Sequence, residues 1–230
     1  MPEIIFNLSL FPLIITIGAY MIGLWLKAKI KHPLCNPFFI GVILTGTFLV
    51  LSKMPMSTYL AGTEKMTWLI TPATVALALP LYEQLKKFKG QLTAILAGVI
   101  AGAVSSLVLV GGACLLFALP REITVSLLPK SITTAMAMVL AEQSSGISSI
   151  AAGGVAITGL VGSVFGPVLC KLFRFKDPIT QGVAYGTASH VIGTSRVMEI
   201  NPLSGAVSTL SLVVAGVLTA ILMPILCAFI

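Results

Sequence analysis

The sequence predicts an all-α membrane protein, a polytopic helical bundle with two broken or re-entrant helices and an inverted repeat. Of its 230 residues, 57% are hydrophobic and only 9% are charged, whereas soluble domains carry about 25% charged residues. Apolar segments of the roughly 20 residues that a spanning helix needs recur along the chain. Small residues are plentiful, and they let helix backbones approach closely in lipid.

The N-terminal part, residues 1–66, is expected to form peripheral helices. Residues 4–26 are apolar, with no basic stretch before them and no small-residue cleavage site. They therefore predict a retained transmembrane helix and not a signal peptide. Residues 38–52 predict a second, short span, and residues 53–66 a polar outer loop.

The remaining residues, 67–230, are expected to form the core of one integral membrane domain that extends over residues 1–230. Proline, glycine and polar residues interrupt two of its segments, 121–145 and 178–200. The other segments predict continuous spans. They are residues 67–85, 91–118, 147–170 and 203–229.

Basic residues occur in three short connectors between apolar segments, which accounts for much of the net charge of +7. The clusters are Lys27, Lys29 and Lys31; Lys86, Lys87 and Lys89; and Lys171, Arg174 and Lys176. This placement excludes a nucleic-acid site and is typical of cytoplasmic loops under the positive-inside rule, with the N-terminus outside. All three clusters lie inside only if 121–145 enters and leaves on the outer side. Charge bias favours that re-entrant arrangement, although broken crossing helices suit both segments as well.

A weak internal repeat in the sequence supports a paired role for the two broken segments. Span 91–118, one broken segment and span 147–170 form a first unit. Span 147–170, the next broken segment and span 203–229 form the same unit inverted. Transporters often use inverted units whose broken helices meet near the midplane of the bilayer.

The first polar stretch has Pro129 as its predicted helix break, followed by Lys130, Ser131, Thr133 and Thr134. A helix that starts after the proline gathers unpaired N–H groups and the positive end of its dipole, which attract anions. The lysine charge and the hydroxyl groups suit a small carboxylate. Alternatively, the lysine extends to the lipid headgroups and the hydroxyls bond to carbonyls of their own helix.

The second polar stretch has Gly186 as its predicted break, and His190, Gly193 and Thr194 as candidate binding residues. A histidine changes charge near neutral pH, so His190 is a candidate for carrying a coupled proton or for binding a carboxylate. A packing role for this histidine is the alternative. Arg196 is a candidate supporting residue, or else an anchor or a partner of Glu199.

Few other residues in the sequence suggest a catalytic, binding or metal-ligating function. Glu142 is a possible supporting residue, but its position before two serines and a glycine favours the aqueous edge. The four cysteines have no metal-ligand spacing and suit buried packing positions. Nucleotide-binding and nucleophile motifs are absent from the sequence, so we predict no enzyme, no cofactor and no metal.

Two motifs carry a family resemblance. The run Leu128 to Thr134 resembles the LPKSVTT signature of the LrgB/CidB family, and the run Gly186 to Arg196 resembles its second signature, GxASHAIGTAR. The likeness extends over nearly the whole chain, including Asn36-Pro37. Ala135 departs from the proline that often follows the double threonine in the family, but the polar groups before it are kept.

The resemblance implies a multi-pass protein of the bacterial inner membrane that works with a smaller LrgA/CidA-type membrane protein. The family was named for holin-like and antiholin-like control of murein hydrolases and cell lysis. Members, including a chloroplast relative, are also tied to transport of glycolate, glycerate and pyruvate. A protein that forms membrane lesions does not need two buried polar helix breaks, so the two polar stretches favour monocarboxylate transport. Lysis control is the alternative function. Homo-oligomers are a further expectation.

Overall fold

The structure is a computed structural model that describes residues 10–30, 37–69, 72 and 90–229. These residues form helices without any strand, which confirms the predicted all-α class. Their helices, in chain order, are α1 (Phe11–Ile30), α2 (Pro37–Ser52), α3 (Met56–Trp68), α4 (Leu92–Leu116), α5 (Arg121–Leu127), α6 (Thr134–Gln143), α7 (Ser148–Leu172), α8 (Pro178–Ile200) and α9 (Pro202–Cys227). Among them α1, α4, α7 and α9 are long and apolar enough to cross a bilayer.

The chain divides into two compact units, Met1–Leu77 and Ala78–Ile230. In the first unit α1 and α2 pack as antiparallel neighbours. A Cβ atom on Gly23 would lie 2.7 Å from the Pro37 carbonyl oxygen, so the absence of a side chain there permits close approach. At the other end of the pair, the rings of Phe11 and Phe48 meet edge to face at 6.1 Å.

The expected polar loop over residues 53–66 is wrong, because residues 56–68 form helix α3. The Tyr59 hydroxyl lies 2.9 Å from the Thr16 Oγ1 atom of α1, and Gly62 packs against Pro12. These tertiary contacts stabilise a helix whose polarity alone had indicated a loop. The predicted span 67–85 and the cluster Lys86, Lys87 and Lys89 lie almost wholly outside the described residues.

Three long helices frame the second unit. Helices α4 and α9 run in the same direction, since buried Ile95 clusters with Val207 near their starts and Leu107 clusters with Met223 further along. Helix α7 runs in the opposite direction. We call the end that carries Lys171, Arg174 and Lys176 the basic end of this unit, and the other the opposite end.

Residues 121–143 form a helical hairpin, here the first hairpin, that enters and leaves at the opposite end. Arg121 at its start donates a hydrogen bond of 3.1 Å to the Cys227 carbonyl oxygen at the end of α9. Just beyond its last helix, the Ile147 N–H donates to Ser126 Oγ at 2.7 Å. Since α5 and α6 lie side by side, the chain reverses at residues 128–133, which include Pro129.

Helix α8 is also a hairpin, here the second hairpin, with its reversal at His190. A straight helix would separate Gln181 from Ile200 by about 28 Å at 1.5 Å per residue, yet both line one cavity. Tyr185 and Val197 belong to one buried cluster for the same reason. The two arms, residues 178–189 and 191–200, therefore both meet the basic end.

The predicted break at Gly186 requires correction, because the helix continues through that glycine to His190. Gly186 instead packs against the backbone of α9, where an added Cβ atom would overlap the Ser208 carbonyl oxygen. The missing side chain thus brings the first arm close to α9 and does not unwind it.

The two hairpins enter the second unit from opposite ends, as the inverted repeat requires. The first lies between α4 and α7 in the chain, and the second between α7 and α9. Gly98 and Gly102 of α4 face Val183 and Thr187 of the second hairpin. The structure thus supports the re-entrant arrangement over two crossing helices.

Candidate functional site

The tips of the two hairpins meet near the middle of the second unit. Pro129 and Ser131 of the first hairpin line a cavity together with Thr187 of the second. Ser106 of α4 and Ala215 of α9 complete its wall, and both lie near the middle of long helices. The cavity volume is about 10 Å³, which admits a single water molecule at most, so the tips are closed on each other.

Lys130 lies at the tip of the first hairpin and is partly buried. Its Nζ atom is 3.3 Å from Ser131 Oγ, and that hydroxyl is 3.0 Å from Ser106 Oγ. None of the carboxylates in the part of the chain that the structure describes forms a salt bridge with Lys130. The described acidic residues of this unit, Glu122, Glu142, Asp177 and Glu199, occupy helix ends. Among the residues that the structure describes, the tip therefore holds a positive charge without a paired carboxylate.

Thr133 is the N-cap residue of α6, with extended backbone angles of −64° and 145°. Its hydroxyl makes no capping hydrogen bond and is buried without a partner among the described residues. The first-turn N–H groups of a helix have no partner within the helix. A hydroxyl and unpaired backbone donors thus lie within a few residues of the Lys130 charge.

His190 is the turning residue of the second hairpin and is 2% exposed. Its Nε2 atom lies 2.6 Å from the Val155 carbonyl oxygen of α7, so Nε2 must carry a proton and donate. The backbone angles, φ 41° and ψ −143°, are costly for a residue with a side chain, by about 1–3 kcal/mol. The packing of the ring against α7 holds this conformation.

Helix α7 also contacts the first hairpin, beside the residue that holds His190. An added Cβ atom on Gly154 would lie 3.2 Å from Leu127 Cδ2 and 3.7 Å from Lys130 Cβ. Since Val155 binds His190, consecutive residues of α7 contact the two tips.

Thr194 and Gly193 stabilise the tip of the second hairpin from within. The Thr194 hydroxyl donates to the His190 carbonyl oxygen at 2.8 Å and lies 2.8 Å from Ser208 Oγ of α9. Gly193 is buried against Ser189. Both residues are at the tip, as expected, but the hydroxyl of Thr194 is already engaged by two protein oxygens.

The remaining predicted residues are not brought to the tips. Thr134 is exposed at the start of α6, and Glu142 is exposed near its end. Arg196 Nη1 pairs with Glu199 Oε2 at 3.2 Å, near the end of the second hairpin. We therefore place Lys130, Ser131, Thr133 and His190 in the candidate site, with Gly193 and Thr194 supporting its shape.

Sequence reasoning missed several polar residues that surround the tips. Ser106 and Thr187 line the cavity, and α9 supplies Ser208 and Ser211, both fully buried. Ser204, Ser208 and Ser211 recur at helical spacing within an apolar span, which is a signal that could have been used. The Val155 carbonyl could not be identified from the sequence, because only the fold brings it close to His190.

The described residues contain no group of three or more His, Cys, Asp or Glu side chains arranged to hold a metal ion. Cys114, Cys170 and Cys227 are buried as free thiols. The chemistry available at the tips is therefore that of hydrogen bonds, one lysine charge and one imidazole.

Comparisons with known proteins match almost the whole chain. The model of the LrgB-like family matches residues 16–229. An uncharacterized protein of Haemophilus influenzae is 35% identical over 210 residues, covering 91% of each chain. The holin-like protein CidB of Staphylococcus epidermidis is 32% identical over 214 residues, covering 93% of each chain.

The antiholin-like protein LrgB of Bacillus subtilis is 32% identical over 216 residues, covering 94% of each chain. No solved structure matches the chain. The family match and the identities together confirm the resemblance carried by the two polar motifs. The chain belongs to the LrgB-like family of membrane proteins.

Proposed function

We propose that the protein is a carrier of small monocarboxylates, such as glycolate, glycerate or pyruvate. The observation that carries this proposal is the position of Lys130 at the meeting point of two re-entrant hairpins, where none of the described carboxylates pairs with it. An ionised group inside a membrane protein is costly and is kept where it serves an ion or substrate pathway. A substrate carboxylate would supply the missing counter-ion through charge-assisted hydrogen bonds.

The directions of the hairpins favour the same ligand. Helix α6 begins at the tip of the first hairpin, and residues 191–200 begin at the tip of the second. Each of these segments directs its N-terminus, the positive end of the helix dipole, toward the tips. Discontinuous helices that present N-termini to an anionic group are a recurrent substrate site of secondary transporters.

Transport through this site requires the tips to separate, because the cavity between them holds no more than a water molecule. Lys130 also lines a groove of about 400 Å³ that continues past Cys114 and Phe117 toward the opposite end. Most of its lining side chains are apolar, so a carboxylate would reach the lysine from that end only after the first hairpin moves. The second hairpin, which enters from the basic end, would open the way to the other side.

His190 is the proposed proton carrier. Because Nε2 donates to the Val155 carbonyl, Nδ1 is the ring nitrogen left to gain or lose a proton. A protonated imidazole beside Lys130 would strengthen binding of an anion, and its deprotonation would weaken that binding. Uptake driven by an inward proton gradient is the corresponding behaviour.

The membrane orientation follows from the positive-inside rule. With Lys171, Arg174 and Lys176 at the basic end, we propose that this end faces the cytoplasm of a bacterial cell. The first hairpin then opens to the outside. A small membrane protein of the LrgA/CidA type is the proposed partner, and homo-oligomers are a further proposal.

Reconstitution into proteoliposomes tests the carrier directly. We expect uptake of radiolabelled pyruvate that saturates with concentration, is faster with an acidic exterior and is competed by glycolate. Entrapped carboxyfluorescein should stay inside, because the closed tips leave no continuous pore. Uptake that rises linearly with concentration and is accompanied by dye release would contradict the carrier.

A holin-like or antiholin-like function in control of murein hydrolases and lysis is the second candidate. The names of the relatives from Staphylococcus epidermidis and Bacillus subtilis favour it. Such a protein would release dyes or ions without selectivity, alone or with its partner. The proteoliposome experiment therefore distinguishes the two candidates.

A further inference from the structure

A second cavity, of about 430 Å³, lies at the basic end of the second unit. Lys171, Arg174 and Lys176 from the end of α7 and the connector after it supply its positive charge. All three side chains are exposed, and none of them forms a salt bridge within the part of the chain that the structure describes. The cavity is separate from the tips and takes no part in the proposed carrier site.

The walls of this cavity are mostly apolar. The basic residues are joined by apolar side chains, which are Pro167, Cys170, Phe175, Val197 and Ile200. Phe173 and Phe175 stack beside it with ring centroids 5.9 Å apart. Since α7 is long and apolar enough to span the membrane, its end lies at the boundary between acyl chains and headgroups. A ligand there meets positive charge on one side and hydrocarbon on the other.

Tyr185 is one of the residues that line the cavity. The residue is 4% exposed, and its hydroxyl is buried without a hydrogen-bond partner among the described residues. Tyrosine hydroxyls in buried positions usually find a partner. This one lies against Gly166 of α7, so it would bond a ligand in the cavity only after the Tyr185 ring turns toward it.

We propose that this cavity binds an anionic phospholipid, with the phosphate held by Lys171, Arg174, Lys176 and the Tyr185 hydroxyl. The acyl chains would lie along Phe173, Phe175 and Ile200. Basic pockets between helix ends are a known form of anionic-lipid site, and the apolar walls favour a lipid over a free phosphate. Because both arms of the second hairpin and α7 line the cavity, a bound lipid would hold the hairpin against α7.

Native mass spectrometry of the full chain in detergent tests the site. The probes are dioleoyl phosphatidylglycerol, dioleoyl phosphatidylcholine and inorganic phosphate. We expect one tight phosphatidylglycerol molecule per chain and much weaker phosphatidylcholine and phosphate. Replacing Lys171, Arg174 and Lys176 with glutamine should weaken phosphatidylglycerol binding by at least about tenfold, since each basic residue near an anionic surface contributes about fivefold. A matched triple change of Lys29, Lys53 and Lys65 to glutamine removes the same charge elsewhere and should leave binding within about twofold.

The variant Tyr185→Phe distinguishes a defined binding site from nonspecific electrostatic attraction. Loss of the hydroxyl should weaken phosphatidylglycerol binding by at least about tenfold, as expected for one hydrogen bond to a charged group. The melting temperature should not fall, because the removed hydroxyl has no hydrogen-bond partner among the described residues. Unchanged binding in this variant would overturn the proposal. Equal losses in the two triple variants, or phosphatidylcholine or phosphate binding as tightly as phosphatidylglycerol, would overturn it as well.

Discussion

We expect Lys130→Gln to lower the initial rate of pyruvate uptake into proteoliposomes by about 100-fold. Within the described residues, the lysine is the only charge at the tips apart from the titratable His190, and none of their carboxylates pairs with it. A charge-assisted hydrogen bond lost from a site shielded from water costs about 3 kcal/mol, which corresponds to roughly two orders of magnitude. Folding should be retained, because glutamine can keep the contact with Ser131 Oγ.

Two further variants make this expectation specific. Lys130→Arg keeps the charge but replaces a compact ammonium with a planar fork, so it should retain more uptake than Lys130→Gln. Lys65→Gln removes a lysine charge from α3 and should transport like the unchanged protein. Uptake by Lys130→Gln within about twofold of the unchanged protein, with comparable amounts in the vesicles, would remove Lys130 from the site.

The second large effect is expected from Gly162→Ala on α7. A Cβ atom on Gly162 would overlap both Oγ and Cβ of Ser189, the residue just before the turn of the second hairpin. The Ser189 Cβ atom cannot rotate away, so the hairpin tip must move. Overpacking of this kind costs about 1–3 kcal/mol. We expect a lower melting temperature by circular dichroism and a loss of uptake, because the displaced tip no longer faces Lys130.

Gly153→Ala is the matched control on the same helix. No atom lies within 4 Å of a Cβ atom added there, so the change should be neutral or stabilising, by up to about 1 kcal/mol, through helix propensity. Its uptake should equal that of the unchanged protein. Equal melting temperatures for Gly162→Ala and Gly153→Ala would contradict the packing of the second hairpin on α7.

The sequence alone indicated the two polar interruptions, and the structure places both at helix reversals. Pro129 was a correct signal, since proline disfavours a helix interior and residues 128–133 do turn. Proline alone does not decide this, because α7 and α9 continue through Pro167 and Pro224. Gly186 was a misleading one, because a glycine in a membrane helix can equally mark a close contact. The reversal at His190 has no local signal, since a histidine with positive φ depends on a partner in another helix.

The composition of the candidate site was predictable only in part. Lys130, Ser131, Thr133 and His190 were found because polar groups in an apolar segment are conspicuous. Their partners were not, since Ser106 lies 25 residues from Ser131 in the chain and Val155 lies 35 from His190. The serines of α9 repeat at helical spacing, but only the packing of α8 on α9 shows that they face the second hairpin.

The most direct test of the central claim is the sidedness of four engineered cysteines in a background without native cysteines. Ala118→Cys and Ser145→Cys flank the first hairpin, and Phe173→Cys and Ile200→Cys flank the second. With a membrane-impermeant thiol reagent on intact cells, two re-entrant hairpins predict labelling of 118 and 145 together, and of 173 and 200 only after the membrane is opened. Labelling of 118 and 145 from opposite sides of the membrane, or of 173 and 200 from opposite sides, would contradict the arrangement on which the carrier site depends.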